Sequence, residues 1–200
     1  LTDCTFTSNS AESGGGMFNQ FDFPTLTDCT FTSNSAEDGG GMYNNEESSP
    51  TLTDCTFTSN SASFGGGGMC NVNDSFPTLA TCTFANNSAD YGGGMCNDYV
   101  SFPTLANCTF ANNSADEDGG GMYNYRSSEP DLDNCTFTSN SAGKNGGGMC
   151  NVLDSSPILA DCTFTGNSAV EDGGGMYNLD DSDPILDGGC GLCGNSPNQI

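Results

Sequence analysis

Histidine is absent from this 200-residue chain, and basic residues nearly so: Arg126 and Lys144 stand alone against 26 acidic side chains, for a formal net charge of −24. With two cations the chain lacks the means to neutralise a phosphate backbone, which argues against nucleic acid as a partner. An anionic membrane surface is disfavoured on the same ground. No histidine means no imidazole base, and zinc sites favour close Cys/His pairs that twelve scattered cysteines do not supply. No run is apolar and long enough to span a membrane. No signal peptide is recognisable, although the chain starts on a repeat boundary, so an upstream segment is expected to have been removed. The apolar fraction, 34%, lies below the usual globular range and predicts a thin core. The acidity itself reads first as solubility and self-repulsion, with divalent-cation binding or a high-salt habitat as alternatives.

What is present is repetition. Leu-Thr-Asp-Cys-Thr-Phe-Thr-Ser-Asn-Ser-Ala opens at Leu1, and variants restart at Leu26, Leu52, Leu79, Leu105, Leu132 and Leu159, with a truncated copy at Leu186. Steps of 25–27 residues mean stacked units, each burying its apolar side against its neighbours. Residues 1–200 therefore read as one elongated domain of seven full coils and a partial coil, 186–200.

Within one copy, alternation puts Cys4 and Phe6 on one face and Thr5 and Thr7 on the other. A Ser-Asn-Ser-Ala turn and a short variable acidic stretch follow, then Gly-Gly-Gly-Met-x-Asn, as in Gly14 to Asn19, and a loop ending in Pro and Leu. Nothing has helical spacing, and Gly and Pro recur too often for helices. Three short strands and three turns per 25–27 residues describe an all-β fold, the parallel β-helix. With coils about 4.8 Å apart the rod is roughly 35–40 Å long. Equivalent residues then form ladders: an internal leucine column, a phenylalanine stack, and amide ladders at Asn9, Asn34, Asn60, Asn87, Asn113, Asn140 and Asn167 and again from Asn19 to Asn178. Met17 and its copies are expected inside, because Met recurs in every full repeat while its neighbour varies among Phe, Tyr and Cys.

The Phe-x-x-Asn of Phe6 to Asn9, alternating with the Gly-Gly-x-apolar of Gly14 to Met17, resembles the paired motifs of chlamydial polymorphic outer-membrane proteins and related bacterial right-handed β-helix repeat proteins. The resemblance covers residues 1–185, with Gly and Met standing where that family usually has Ala and an aliphatic residue. It implies a right-handed β-helix and, more loosely, surface exposure and adhesion. No autotransporter barrel lies within these 200 residues.

Several positions could carry chemistry. Cys4, Cys29, Cys55, Cys82, Cys108, Cys135 and Cys162 share one ladder position and read as stacked buried thiols. Cys70 and Cys96 share another position on adjacent coils and are the best disulfide candidates, with Cys190 and Cys193 as a second pair. So many cysteines suit an extracellular, oxidising setting. Acidic turns, above all Asp116, Glu117, Asp118, Asp180, Asp181 and Asp183, could offer oxygens to calcium, though no Gly-Gly-x-Gly-x-Asp repeat and no EF-hand loop occurs. No other cofactor is implied.

Carboxylate pairs at the spacings of glycosidases arise freely between coils, so they carry little weight. Without histidine, and with no loop long enough to wall a cleft, the chain reads as no enzyme. Thr5, Thr7, Thr30, Thr32, Thr56, Thr58, Thr136, Thr138, Thr163 and Thr165 form two outward columns, interrupted by Ala85 and Ala111. Such an array resembles the ice-binding face of β-solenoid antifreeze proteins, or reflects the strand propensity of threonine. Asn-x-Ser/Thr sequons occur at Asn73, Asn86, Asn107, Asn112 and Asn134.

Residue 1 starts inside a strand pattern. Open ends would invite another chain to continue the stack, so either self-association into a filament or a place within a longer β-helix is expected. The function read from sequence is a non-catalytic, extracellular, structural or adhesin-like surface element. The alternatives are an ice-binding protein and a polysaccharide-binding or polysaccharide-degrading β-helix, so the partners envisaged are a second copy, a carbohydrate or another cell-surface ligand.

Overall fold

A leucine or phenylalanine in a three-residue strand sends one side chain inward and its two neighbours, mostly threonine, alanine or aspartate, outward, and here the coils repeat that choice in register. The computed structural model describes residues 1–197, and among them there is no helix. Four parallel sheets of eight, seven, seven and six strands run the length of the stack. One coil supplies Thr51–Thr53, Thr56–Thr58, Ser61–Gly65 and Met69–Asn71, one strand to each sheet. The Ser-Ala segment, read from sequence as a turn, is thus a fourth short strand. Its pairing to the next coil, Ser35 to Ser61 and Ala36 to Ala62, is enough to make it a sheet. The partial coil adds Ile185–Asp187 to the leucine sheet and Gly191–Cys193 to the phenylalanine sheet; residues 198–200 lie outside the described residues.

Register is residue-for-residue: Leu52 pairs Leu79, Phe57 pairs Phe84 and Met69 pairs Met95. The leucines, phenylalanines, methionines and column cysteines of the inner coils are buried together as one core. The phenyl rings of Phe6, Phe31, Phe57, Phe84, Phe110, Phe137 and Phe164 stack with centroids 4.6–4.8 Å apart and planes within 5°. Methionine faces the interior, as its recurrence suggested.

Polar groups enter this core only as ladders. Asn113 is fully buried; its Oδ1 accepts from the backbone N–H and Nδ2 of Asn87, and its own Nδ2 donates to Asn140 Oδ1 and to the Phe84 carbonyl. The second column is simpler, each Nδ2 donating 2.8 Å to the next coil's Oδ1, as Asn71 does to Asn97. A serine column unread in the sequence does the same service at the third corner: Ser75 Oγ donates to Val72 O, and the Ser75 N–H donates to Ser101 Oγ. No buried side-chain oxygen or nitrogen among the described residues lacks a partner, as expected where an orphaned group would cost about 1–3 kcal/mol.

The triple glycine is a steric necessity. Gly92 takes φ +64°, and a Cβ on Gly94 would fall 2.5 Å from Gly121 O and 2.8 Å from Phe110 Cδ1. Removing the side chain lets the chain pass directly over the phenyl stack. Corners elsewhere use left-handed residues in pairs, including Tyr99 and Val100 (φ 49° and 60°) and Arg126 and Ser127 (φ 53° and 57°). Such conformations are disfavoured for bulky and β-branched side chains.

Candidate functional site

On the methionine sheet the residue between Met and Asn points outward. In chain order that column reads Phe18, Tyr43, Cys70, Cys96, Tyr123, Cys150, Tyr177. Two consecutive small residues, Cys70 and Cys96, leave a notch two coils deep between the rings of Tyr43 and Tyr123. That notch is the floor of a groove. Phe64 and Tyr91, from the segments before the glycines, wall one side together with Asp38 and Asp118. Val72, Asp98, Tyr99, Tyr125 and Arg126, from the corner after Asn, wall the other. Two cavities of about 360 and 200 Å³ share Phe64, Cys96 and Asp98 and so form one continuous depression over four coils. The volume suits a small ligand or a short stretch of polymer.

The rings make a connected row. Phe64 meets Tyr91 edge-on at 5.5 Å, Tyr91 meets Tyr123 at 5.1 Å, and Tyr123 stacks on Tyr125 at 5.8 Å. The Arg126 guanidinium then sits over two rings, 4.2 Å from the centre of Tyr99 and 4.5 Å from that of Tyr125, with Asp98 Oδ2 at 3.5 Å. The row covers the cysteines, which is why Cys70 and Cys96 are buried although they point away from the core.

The carboxylates are held by the backbone. Asp98 Oδ1 accepts the Tyr99 N–H at 2.7 Å, Asp38 Oδ1 accepts the Gly65 N–H at 3.1 Å, and Asp118 Oδ1 accepts both the N–H and the Nδ2 of Asn145. Burial pushes the Asp38 and Asp98 carboxyls above the usual carboxylate range, against the pull of those N–H groups and, for Asp98, of Arg126. Asp38 adds to the rise at Asp98, so the two feel each other along the groove. The Tyr43 and Tyr123 phenols are likewise driven up, first by burial and then by neighbouring cysteine and aspartate.

A family model described as "Right handed beta helix region" matches residues 1–188. The chain is a member of the right-handed β-helix family. Comparison with curated proteins and with solved structures finds no match. The family membership gives the fold of this β-helix and the hand of its coils; it does not reach to the chlamydial motifs or to a ligand.

The residues singled out from sequence fall in four places. Cys70 and Cys96 face each other in register at the groove floor as free thiols, and the neighbouring Cys96 thiol together with burial raises that of Cys70. Cys190 and Cys193 are free too, and alternation explains it. Cys190 follows the interior thiol column and donates to Leu159 O, whereas Cys193 extends the outward threonine column opposite Thr165.

The acidic turns do not converge: Glu117 pairs with Lys144, Asp118 turns to Asn145, and Asp116, Asp180, Asp181 and Asp183 are exposed. No group of three or more Cys, Asp or Glu able to hold a metal occurs among the described residues. The threonine columns do stand in register on the outer face, Thr30 to Thr56 and Thr32 to Thr58, with Thr136 Oγ1 donating to Thr109 Oγ1 at 3.3 Å. All five sequon asparagines are exposed.

Missed from sequence were Asp38 and Asp98 as a pair and the wall of Phe64, Tyr91, Tyr99, Tyr125 and Arg126. No loop in the sequence is long enough to wall a cleft, yet side chains on short segments wall this one. The available signal was the adjacency of Cys70 and Cys96 together with rings in the variable stretches of consecutive coils.

Proposed function

We propose that this β-helix is a non-catalytic surface-interaction protein that binds a polysaccharide chain along the groove of its methionine sheet. One observation carries the reading: a row of five rings and three backbone-anchored carboxylates meets in a single depression over four coils. Flat sugar faces stack on aromatic rings, and hydroxyls donate to carboxylates. The fold family is compatible with surface and polysaccharide-related roles. The resemblance of the Phe-x-x-Asn and Gly-Gly-x motifs to chlamydial surface-protein repeats supports a location outside the cell. Binding without turnover is favoured because Asp38, Asp98 and Asp118 each have an oxygen committed to a structural N–H.

The test is affinity electrophoresis of the purified chain through gels containing soluble polysaccharides, with product assays for chain cleavage. Retardation that is lost in the Tyr91→Ala, Tyr123→Ala double variant, with no new reducing ends or unsaturated sugars, is the expected result. Failure of every polysaccharide to retard the wild type removes the reading, and cleavage products removes its non-catalytic part.

The threonine face supports a second reading, ice binding, on the strength of its unbroken register from Thr5 to Thr58. Thermal hysteresis in the wild type, abolished by Thr58→Tyr, is its requirement; an inactive wild type ends it.

A further inference from the structure

The groove already holds one organic cation, its own. Arg126 lies between Tyr99 and Tyr125 with Asp98 at its edge, a seat built from two ring faces and a carboxylate. The same materials recur next door: Tyr91 and Tyr123 with their centroids 5.1 Å apart, and Asp118 in the same cavity lining. Both hydrogen bonds from Asn145 fall on Asp118 Oδ1. Among the described residues Arg126 is the one basic side chain in the lining of the two cavities, against three carboxylates; Lys144, within electrostatic reach of Tyr91 and Asp118, stands outside the lining, paired with Glu117. Ring faces attract cations through their quadrupole, and more strongly where water is partly excluded. A chain of net charge −24 repels a polyanion long before contact and draws a polycation in.

We infer that the polysaccharide taken by this groove carries free, protonated amino groups: an unacylated amino-sugar polymer, one ammonium group of which lies against the Tyr91–Tyr123 pair beside Asp118. The inference rests on the polysaccharide reading above and adds the ligand's charge. It excludes polyuronates as ligands and sets neutral N-acylated chains well below free amines.

Three oligosaccharides of matched length test it by calorimetry at physiological ionic strength: a β-1,4-linked glucosamine oligomer, its fully N-acetylated form and an oligouronate. The glucosamine oligomer binds, the acetylated form binds about tenfold or more weakly, and the uronate does not bind. Because any polycation is drawn to an acidic rod, two charge-matched variants separate the seat from the field. Asp118→Asn with Asp98→Asn weakens glucosamine binding about tenfold or more, while Asp131→Asn with Asp133→Asn, on the outer leucine-sheet face, changes it less than twofold. Circular dichroism confirms that both variants fold, and Tyr123→Leu, which leaves every charge in place, gives the same loss if the groove pair does not fold.

Equal binding of free and acetylated oligomers overturns the inference and leaves polysaccharide binding standing. Equal loss in the two charge variants also overturns it, as does a basic peptide that binds through the same residues as tightly as the oligosaccharide. Binding of the uronate alone reverses it. If none of the three binds and no polysaccharide retards the chain in a gel, the underlying reading falls and takes the inference with it.

Discussion

The guanidinium carbon of Arg126 lies 4.2 Å from the ring centre of Tyr99, a residue of the preceding coil, and both take left-handed backbone angles. The two side chains are thus turned toward each other by equivalent corners on neighbouring coils. Replacing Arg126 with alanine removes two cation–ring contacts and the partner of Asp98. Because the arginine side chain is well exposed, the expected cost is modest, about 1 kcal/mol in urea denaturation. Arg126→Lys keeps the charge but loses the flat face, and should recover less than half of that loss.

Acidity should stabilise this protein before it harms it. Asp38 and Asp98 have carboxyls raised in the folded chain above the ordinary value of 3.8, so the folded state holds their protons more tightly than the unfolded state. At neutral pH both are ionised and their burial is a cost. As pH falls through their raised values that cost is relieved, and the gain is complete once pH is below 3.8, where both states are protonated. Melting temperature measured from pH 7 downward should therefore rise first. The Asp38→Asn, Asp98→Asn double variant should melt higher than wild type at pH 7 and show a flatter rise. A wild-type melting temperature that falls monotonically from pH 7 contradicts this account.

The amide ladder should be far less tolerant than the faces it supports. Asn113→Ala strips the acceptor from both Asn87 donors and leaves the Phe84 carbonyl and Asn140 Oδ1 short of a donor in a fully buried corner. A loss of about 3 kcal/mol or more is expected. Thr138→Ala on the outer face, in a column that already carries Ala85 and Ala111, should cost about 0.5 kcal/mol or less. Paired chemical denaturation curves give both numbers.

Thiol labelling gives an ordered readout of the stack. Cys193 is exposed and Cys4 and Cys190 are half-buried, whereas the interior column from Cys29 to Cys162 is buried. Burial also holds the Cys29 and Cys150 thiols above their ordinary value, which suppresses the reactive thiolate. Alkylation of the native protein followed by mass spectrometry should modify Cys193 first, then Cys4 and Cys190, and the column only after denaturant is added. Early labelling of Cys82 or Cys108 would contradict the packing described.

Much of this was legible in the sequence because the fold depends on what every coil shares. Leu52, Phe57, Asn60, Met69 and Asn71 recur at fixed offsets, and recurrence together with strand alternation and apolar character points the leucine, phenylalanine and methionine inward. The fourth sheet escaped notice because Ser-Ala strands are two to five residues long and carry no alternating apolar signal. The groove escaped for the opposite reason. It is made of what neighbouring coils do not share: cysteine at 70 and 96 where tyrosine stands at 43 and 123, a phenylalanine at 64, an arginine at 126. Their meaning emerges only once coils are laid over one another at 4.6–4.8 Å and a small residue on one is seen to open space for a ring from the next.

The two asparagine ladders also have a direction. From Asn9 to Asn195, and again from Asn19 to Asn178, the amide oxygens turn back toward the coil before and accept from its Nδ2; in the first ladder the Nδ2 also donates back to a phenylalanine carbonyl, as Asn34 does to Phe6 O. Strand dipoles largely cancel across a sheet, but these side-chain dipoles add. In the Asn19–Asn178 ladder, where each Nδ2 donates forward, the amide dipoles therefore share one direction along the axis. The two directions along the stack are thus unlike even though its coils are nearly copies.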